Sequence, residues 1–262
     1  MAKFDVTLLK DINTSGNADP LEYSVVVGNE IYFTATDGNG YEIWKTDGST
    51  GGTTAVTEIN ATEINGLIED NGNLFFGASF GAGETAYVYS YDISGSQLTS
   101  LTDAQPVNSG VGNLYAAGDY IYFQDGNSSP DEWMQVRDFI SISKDTGVVE
   151  TIGSFGEEIE TPIVFNNSLY FGARAEAMFG DRQLYKATGT TVESLSDYLD
   201  TGDQALVIDN KLIYEFKDQS DNLGQELYVT SDGTNFSLIG DVRAGSNNGA
   251  IDHLIEFNGA AY

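Results

Sequence analysis

Six hairpins of similar pattern recur along the chain, each made of an apolar strand, a tight turn and a second apolar strand rich in aromatic residues. In the first hairpin, residues 25–27 turn at Gly28-Asn29 into residues 31–33. The turns consist of Asn, Asp and Gly, the residues that tolerate the positive φ angles of two-residue hairpins. They lie at residues 28–29, 71–72, 118–119, 166–167, 209–210 and 258–259. The pattern predicts a protein built from repeated antiparallel hairpins.

The repeat length indicates which larger unit each hairpin belongs to. Equivalent residues of the second strands, from Ile31 to Ala261, follow one another at intervals of 43 to 49 residues, close to the length of a four-stranded β-propeller blade. Each repeat then holds four strands, termed a to d, which we predict in the first repeat near residues 22–27, 30–36, 41–46 and 53–59. Apolar residues in strand b do not alternate with polar ones, as expected where both faces of a sheet are covered. The predicted fold class is all-β, a β-propeller of four-stranded antiparallel blades.

The two ends of the chain suggest how the ring of blades closes. Residues 4–12 have the pattern of a strand d with no preceding strands, and the sequence ends within strand b of the sixth repeat. A blade shared by both ends would protect the exposed sheet edges. We therefore expect one domain over residues 1–262 with six blade positions, five or seven being the alternatives. The domain is either complete or the N-terminal part of a longer repeat protein.

Charge narrows the range of partners. Forty acidic residues against eleven basic ones give a net charge of -29, a field that repels nucleic acid and anionic lipid surfaces. No run of 18 apolar residues occurs, so membrane insertion is not expected. There is no cysteine, which excludes disulfides and thiolate chemistry. The acidic surface either provides solubility or captures divalent cations.

The loops between strands b and c differ from repeat to repeat, whereas most other connections are tight and similar. Variable loops on a rigid scaffold are the usual place for binding, so we place the binding face there. The longest of these loops carries Trp133 beside Asp125, Asp131 and Glu132. Trp133 in this polar loop is suited to stacking on a sugar or anchoring a protein partner. The alternative is that Trp133 folds back and caps the third blade.

The sequence offers candidates for metal binding but few for catalysis. Asp37 and Asn39 in one b-to-c loop, and Asp218 and Asp221 in another, supply the hard oxygen ligands that Ca²⁺ prefers. His253 is the single histidine, and no motif positions a nucleophile or a phosphate loop. We therefore predict that the protein is not an enzyme, and that Ca²⁺ is the one cofactor worth testing.

Residues 41–53 form a thirteen-residue block with the sequence YEIWKTDGSTGGT. Less complete copies of this block occur at residues 225–234 and 182–190. The block resembles the ELWxTDGTxxGT repeat of large bacterial secreted and surface proteins. The recurrence makes its prominent residues structural: Trp44 as a buried side chain, and Asp47-Gly48 and Asp232-Gly233 as turns from strand c to strand d.

The resemblance implies a propeller-like module within exported proteins that carry calcium-binding repeats and a C-terminal, type I secretion signal elsewhere. It implies an extracellular or cell-surface location without an N-terminal signal peptide, and a role in adhesion or surface scaffolding, with no catalytic residues to carry over. Our leading hypothesis is a non-enzymatic interaction or structural module with a protein or glycan partner, within a larger chain or assembly. The alternatives are a carbohydrate-active propeller hydrolase or glycan-binding lectin, and a calcium-stabilised scaffold.

Overall fold

The computed structural model describes residues 8–19, 23–81, 86–103, 111–125, 136–156, 159–175, 182–199, 201–218, 223–241, 243–245, 251 and 253–262. Over these residues the protein consists of β-strands and their connections, without a helix. Accordingly, no helix within these ranges is long and apolar enough to cross a membrane. The all-β fold class is confirmed.

The chain divides into two compact units, Met1–Leu114 and Tyr115–Tyr262. The first unit holds two four-stranded antiparallel sheets, each with its strands in chain order. Sheet 1 contains β1 (Ser24–Val27), β2 (Glu30–Thr36), β3 (Tyr41–Thr46) and β4 (Thr54–Ala55). Sheet 2 contains β5 (Glu63–Asp70), β6 (Asn73–Ser79), β7 (Ala86–Asp92) and β8 (Gln97–Ser100).

The second unit continues the same pattern. Sheet 3 contains β9 (Tyr115–Ala117), β10 (Tyr120–Gln124), β11 (Arg137–Ser143) and β12 (Val149–Phe155). Sheet 4 contains β13 (Glu160–Phe165), β14 (Ser168–Ala173), β15 (Gln183–Thr188) and β16 (Thr191–Leu199). Sheet 5 contains β17 (Ala205–Ile208), β18 (Lys211–Asp218), β19 (Glu226–Thr230) and β20 (Ser237–Gly240), and a hairpin of β21 (Glu256–Phe257) and β22 (Ala260–Ala261) follows. The end of β16 pairs with the end of β18, joining sheets 4 and 5.

Four of the six predicted hairpin turns have positive φ at both residues, whereas Gly28-Asn29 and Gly118-Asp119 have it at the glycine alone. At Asn71-Gly72 the φ angles are 51° and 80°, and at Asn166-Asn167 they are 48° and 59°. Such pairs of positive φ values match the twist of the flanking strands. The predicted boundaries of strands a, b and c in the first repeat agree with β1, β2 and β3 to within two residues.

Strand d of the first repeat is shorter than predicted. We expected it near residues 53–59, and β4 ends at Ala55. The Val56 amide still donates to the Ile43 carbonyl (2.8 Å), and beyond it side chains replace the backbone ladder. The Ile43 amide donates to the Thr57 hydroxyl (2.9 Å), and the Ile59 amide donates to the Glu42 carboxylate (2.9 Å). The sequence pattern could not distinguish this arrangement from a continued strand.

The N-terminal segment also differs from expectation. Residues 8–12 of the strand predicted at 4–12 do not form a strand, and residues 4–7 lie outside the described ranges. The segment instead attaches to the loop between β3 and β4, since Lys10 Nζ donates to the Thr53 carbonyl (2.5 Å) and Thr50 Oγ1 donates to the Leu9 carbonyl (2.8 Å).

Both faces of the sheets are covered, which explains the unbroken apolar runs. Consecutive residues Ile121, Tyr122 and Phe123 in β10 are all 0% exposed. Side chains of successive residues in a strand point to opposite faces, so a sheet packed on both sides buries all three.

Tyrosines connect neighbouring sheets in the second unit. The Tyr122 hydroxyl in β10 donates to the Gly189 carbonyl (3.0 Å), and the Tyr170 hydroxyl in β14 donates to the Gly233 carbonyl (2.9 Å). In each case a strand b bonds the c-to-d turn of the following sheet. The repeated sequence pattern thus produces a repeated contact between sheets.

Candidate functional site

The predicted binding loop is only partly described. Trp133, Asp131 and Glu132 lie outside the described residues. Asp125 directly follows β10 and is 8% exposed, and its backbone amide donates to the Asp138 carbonyl (2.9 Å). The structure therefore places Asp125 at the b-to-c end of sheet 3, with its backbone held against strand c.

The predicted calcium ligands are placed separately. Asp37 and Asn39 are brought together in one exposed turn, where Asp37 Oδ1 accepts the Asn39 amide (2.9 Å) and Oδ2 accepts the Asn39 side-chain amide (3.3 Å). Asp218 ends β18, opposite Tyr198 of β16, and Asp221 lies outside the described ranges. Within those ranges no three His, Cys, Asp or Glu side chains form a group suited to a metal ion.

The turn of the recurring block is held by Asp47. Its Oδ1 accepts the Ser49 amide (2.9 Å) and the Ser49 hydroxyl (2.7 Å), and these hydrogen bonds hold the pKa of Asp47 below its usual value. Gly48 has a φ of 88°. A β-carbon at Gly52 would overlap the Asp47 carboxylate, which explains the glycine at this position. The carboxylate is engaged in shaping the turn.

Asp232 has the same role in the second copy of the block. Its Oδ1 accepts the backbone amides of Thr234 and Asn235, each at 2.8 Å, and its Oδ2 accepts the Asn235 side-chain amide at 2.8 Å. These hydrogen bonds, led by that of Asn235, lower the pKa of Asp232 strongly. Gly233 follows with a φ of 77°. The two turns share chemistry as well as sequence.

Trp44 packs inside sheet 1. It is 8% exposed and lies with Phe33, Ala35 and Ile12. The Lys10 ammonium lies 5.8 Å from the centre of the indole ring. The indole Nε1 is buried without a hydrogen-bond partner in the described structure.

Glu42, which precedes Ile43 and Trp44, has a structural role that we did not predict from sequence. Its buried carboxylate accepts the Thr57 hydroxyl (2.6 Å) and the backbone amides of Ile59 (2.9 Å) and Asn60 (2.6 Å). A signal was available in the sequence, because the second copy of the block also has a glutamate, Glu226, at its second position.

Two buried carboxylates lie in sheet 5, on the neighbouring strands β18 and β19. Glu215 is 5% exposed, and burial raises its pKa to about 7, with a further contribution from the negative charges of Asp203 and Glu226. Raised carboxyl pKa values mark general acids in enzymes, although structural groups show them too. These acids are the described residues most suited to acid–base chemistry.

An exposed group of aromatic rings lies at the b-to-c end of sheet 2. We call Phe80, Tyr87 and Tyr89 the aromatic corner. The Phe80 ring lies 6.0 Å from that of Tyr87 at 59° and 6.4 Å from that of Tyr89 at 69°, measured between ring centres and planes. Phe80 is 37% exposed, and both tyrosines are half-buried. Nearby Asp103, in the connection after β8, contributes with burial to a raised pKa of Tyr89.

Sequence reasoning missed the aromatic corner, although it placed binding at the b-to-c ends. Phe80 directly precedes the loop that begins at Gly81, so its position was visible. Its grouping with Tyr87 and Tyr89 depends on the pairing of β6 with β7, in which Ala78 lies opposite Tyr87. That register brings Phe80 over the same sheet face as both tyrosines.

Comparison with protein-family models found no match, and neither did comparison with curated protein sequences. Among solved structures, the chain is similar to the computationally designed Ika8 protein, with a TM-score of 0.53 and 16% identity over 90% of this chain and 64% of that one. It is similar to the β-propeller domain of the Trilobed protease from Pyrococcus furiosus, with a TM-score of 0.50 and 19% identity over 83% of this chain and 70% of that one.

A third similar structure is the acylaminoacyl peptidase of Pyrococcus horikoshii, with a TM-score of 0.51 and 12% identity. The match covers 83% of this chain and 39% of that one. The chain thus spans less than two thirds of the designed protein and well under half of the peptidase. At these identities the likeness concerns the fold alone, and together with the repeated four-stranded antiparallel sheets it identifies the fold as that of a β-propeller protein.

Proposed function

We propose that this chain is a non-enzymatic interaction module of the ELW-repeat type, located at a cell surface or outside the cell, which binds its partner at the b-to-c ends of its sheets. The observation that carries the proposal is the aromatic corner. Phe80 exposes 37% of its surface at the end of the sheet where we expect binding. Exposed aromatic side chains grouped in this way are typical of recognition sites.

The contrast with the other end of the sheets supports the same proposal. Asp47, Gly48, Asp232 and Gly233 make the c-to-d turns, and their polar groups bond within those turns. The polar groups of the most recognisable residues of the repeat are therefore engaged in hydrogen bonds that shape the turns. The loops at the b-to-c ends vary from repeat to repeat, whereas the strands and the c-to-d turns are similar, and binding is usual at such variable loops.

We further propose that the chain forms six blade positions, with the N-terminal segment and the hairpin of β21 and β22 sharing the sixth. The chain has no cysteine, so a Leu8→Cys, Ala261→Cys pair can be joined by a short bis-maleimide without background reaction. We expect an intramolecular crosslink in the monomer. Its absence, with both thiols shown to be reactive, would contradict the shared blade.

The interaction role is tested by arrays of glycans and surface proteins together with a panel of glycosidase substrates. We expect the wild-type chain to bind without turning over any substrate, and Phe80→Ala to lose that binding. Phe257→Ala is the matched control, because Phe257 is also an exposed aromatic residue, at 60%, and lies outside the b-to-c end. Substrate turnover, or binding that Phe80→Ala leaves unchanged, would argue against the proposal.

A carbohydrate-active hydrolase is the second candidate, favoured by the raised pKa of buried Glu215. Glu226 lies on the neighbouring strand opposite Phe216, so its side chain is on the other face of sheet 5. A protonated acid near neutral pH is what protonation of a glycosidic oxygen requires. On the same substrate panel this candidate predicts turnover that Glu215→Gln abolishes while the fold persists. Turnover that survives this substitution would place any activity elsewhere.

A further inference from the structure

The aromatic corner and Asp103 lie at the b-to-c end of sheet 2. Phe80 follows β6, Tyr87 and Tyr89 are in the first half of β7, and Asp103 comes shortly after β8. In an antiparallel sheet with strands in chain order, the end of the second strand, the start of the third and the end of the fourth lie at the same end of the sheet. Residues from strand β7 and from the connections after β6 and β8 thus contribute to one small area.

Phe80 is the exposed member of the aromatic corner. Tyr89 stacks on Phe76 with a centre-to-centre distance of 5.6 Å and an angle of 15°, and Phe76 is fully buried. This contact anchors Tyr89 to the core. Phe80 stands at a steep angle to both tyrosines and remains 37% exposed. Tyr89 therefore fixes the aromatic corner to the core, and Phe80 presents part of its ring at the surface.

The charge around the corner is negative. Asp103 is exposed and directly follows Thr102, whose hydroxyl accepts the amide of Val88, the residue between the two tyrosines (2.9 Å). The whole chain carries a net charge of -29, which raises the local concentration of cations and lowers that of anions. This negative field does not attract a neutral sugar. An organic cation is attracted both by the carboxylate and by the faces of the aromatic rings.

We propose that the aromatic corner, with Asp103, binds the ammonium group of an organic cation. The inference rests on the proposed interaction role and names the partner chemistry for that surface. The quadrupole of each ring attracts a cation placed over its face, and the neighbouring carboxylate adds a directed attraction. The ring centres lie 6.0 and 6.4 Å apart, so one ammonium group can come within the cation–π range, about 6 Å, of more than one ring.

Titration of the full chain with choline, followed by the aromatic NMR signals of the tyrosines, tests the site. The matched probe is 3,3-dimethylbutan-1-ol, which has the shape of choline without its charge. We expect saturable shifts of Tyr87 and Tyr89 with choline and at least about tenfold weaker binding of the neutral alcohol. Asp103→Asn should weaken choline binding severalfold, and added salt should weaken it in the wild-type chain.

Two variants separate ring chemistry from packing. Phe80→Leu keeps apolar bulk but removes the aromatic face, so we expect it to lose choline binding while its urea unfolding midpoint stays near that of the wild type. Phe257→Ala should bind choline as the wild type does. Retention of full binding by Phe80→Leu, equal binding of the neutral alcohol, or no saturable shift in the wild-type chain would each overturn the inference.

Methyl β-glucoside provides the arm that distinguishes this inference from the proposed function. If the glucoside shifts the same tyrosine signals and choline does not, the cation inference fails and the interaction role stands with a saccharide partner. Substrate turnover in the glycosidase panel would instead remove the interaction role, whatever the choline result.

Discussion

Trp44 and Ile43 are neighbours in β3, and their side chains lie on opposite faces of sheet 1. Ile43 is 0% exposed and packs with Leu67 and Leu74 of sheet 2. Trp44 packs on the other face with Phe33 and Ile12. Trp44 stands out in the sequence for its chemistry but is a packing residue, and the equivalent positions of the other two copies hold Tyr185 and Tyr228, which are also buried.

Truncation of Trp44 should be costly, whereas loss of its indole N–H should not. We expect Trp44→Ala to reduce the free energy of unfolding by about 3 to 5 kcal/mol, the usual cost of removing a buried aromatic side chain. Trp44→Phe should cost about 1 to 2 kcal/mol, since the buried Nε1 makes no hydrogen bond within the described structure. Urea unfolding measures both. Equal losses in the two variants would contradict the packing role.

Glu215 should make stability depend on pH. Burial raises its pKa from 4.5 to about 7 in the folded protein. Above pH 4.5 the unfolded chain releases a proton that the folded protein retains until about pH 7, so this group lowers stability progressively across that window and by a constant amount above it.

Glu215→Gln should therefore stabilise the protein at pH 8, by about 2 kcal/mol after allowance for partial solvent screening. The gain should shrink as the pH falls and approach zero below pH 4.5, because the carboxyl of Glu215 is then protonated in both the folded and the unfolded state. Thermal or urea unfolding over this pH range measures it, with exposed Glu150→Gln as control. A gain that is independent of pH would exclude titration of Glu215 as its origin.

At the scale of elements, Glu42 explains why β4 is short. Its carboxylate accepts the amides of Ile59 (2.9 Å) and Asn60 (2.6 Å), so a side chain of β3 holds this segment in place of the backbone ladder. The Thr57 hydroxyl accepts the Ile43 amide (2.9 Å), and Thr102 does the same for Val88 in sheet 2 (2.9 Å). Side chains thus end strand d and begin the connection to the next sheet.

Removal of this carboxylate should loosen the connection. We expect Glu42→Ala to cost about 3 kcal/mol, because two amides and one hydroxyl lose a charged acceptor in a buried site. Glu42→Gln should cost less, since it keeps one carbonyl oxygen. Exposed Glu58→Ala is the control and should change stability by less than about 0.5 kcal/mol. A loss of stability of similar size in Glu42→Ala and Glu58→Ala would show that the hydrogen bonds of the Glu42 carboxylate do not stabilise this connection.

The two glycines of the c-to-d turns differ in their surroundings. Gly48 and Gly233 both have positive φ angles, 88° and 77°. A β-carbon at Gly48 would meet nothing within 4 Å, whereas one at Gly233 would overlap the hydroxyl of buried Tyr170. The same turn is therefore free in sheet 1 and tightly packed in sheet 5.

We expect Gly48→Ala to cost about 1 to 2 kcal/mol from backbone strain alone. Gly233→Ala should cost at least about 2 kcal/mol more, because Tyr170 must move within a packed core. In a Tyr170→Phe background most of that excess should disappear, and a double-mutant cycle measures the coupling. Additive effects of the two substitutions would show that the hydroxyl does not cause the difference.

At the scale of the whole molecule, the net charge of -29 opposes the compact state through self-repulsion. Raising NaCl from about 0.01 to 0.3 M shortens the screening length from about 30 to 6 Å, and we expect the unfolding temperature to rise. CaCl₂ at equal ionic strength is the comparison. A larger rise with Ca²⁺ than with Na⁺ would favour a calcium-stabilised scaffold, and an unfolding temperature that ignores salt would contradict the repulsion argument.

Much of the fold followed from local chemistry. The turn at Asn71-Gly72 could be predicted because few residue pairs tolerate two positive φ angles, and the c strand at Tyr41–Thr46 because the motif repeats. The end of β4 could not be predicted, since it depends on where the Glu42 side chain reaches. The pairing of β16 with β18 was also missed, as it joins segments whose patterns do not differ from those of other strands.

The site chosen from the sequence stays a prediction, because Trp133 lies outside the described residues. Reasoning from sequence chose the b-to-c ends and named Trp133, while the structure draws attention to Phe80, Tyr87 and Tyr89 at the same end of another sheet. A tryptophan in a loop is visible in a sequence, whereas three rings on different strands become a group only through register.

The sequence by itself determined the hairpins, their turns and the repeat of four strands, because backbone conformation and apolar patterning depend on neighbouring residues. Only the tertiary structure decided that Glu42 closes a connection, that Glu215 is buried and that the aromatic corner forms beside Asp103. These properties arise from contacts between residues distant along the chain, and such contacts exist only once the sheets have paired and packed.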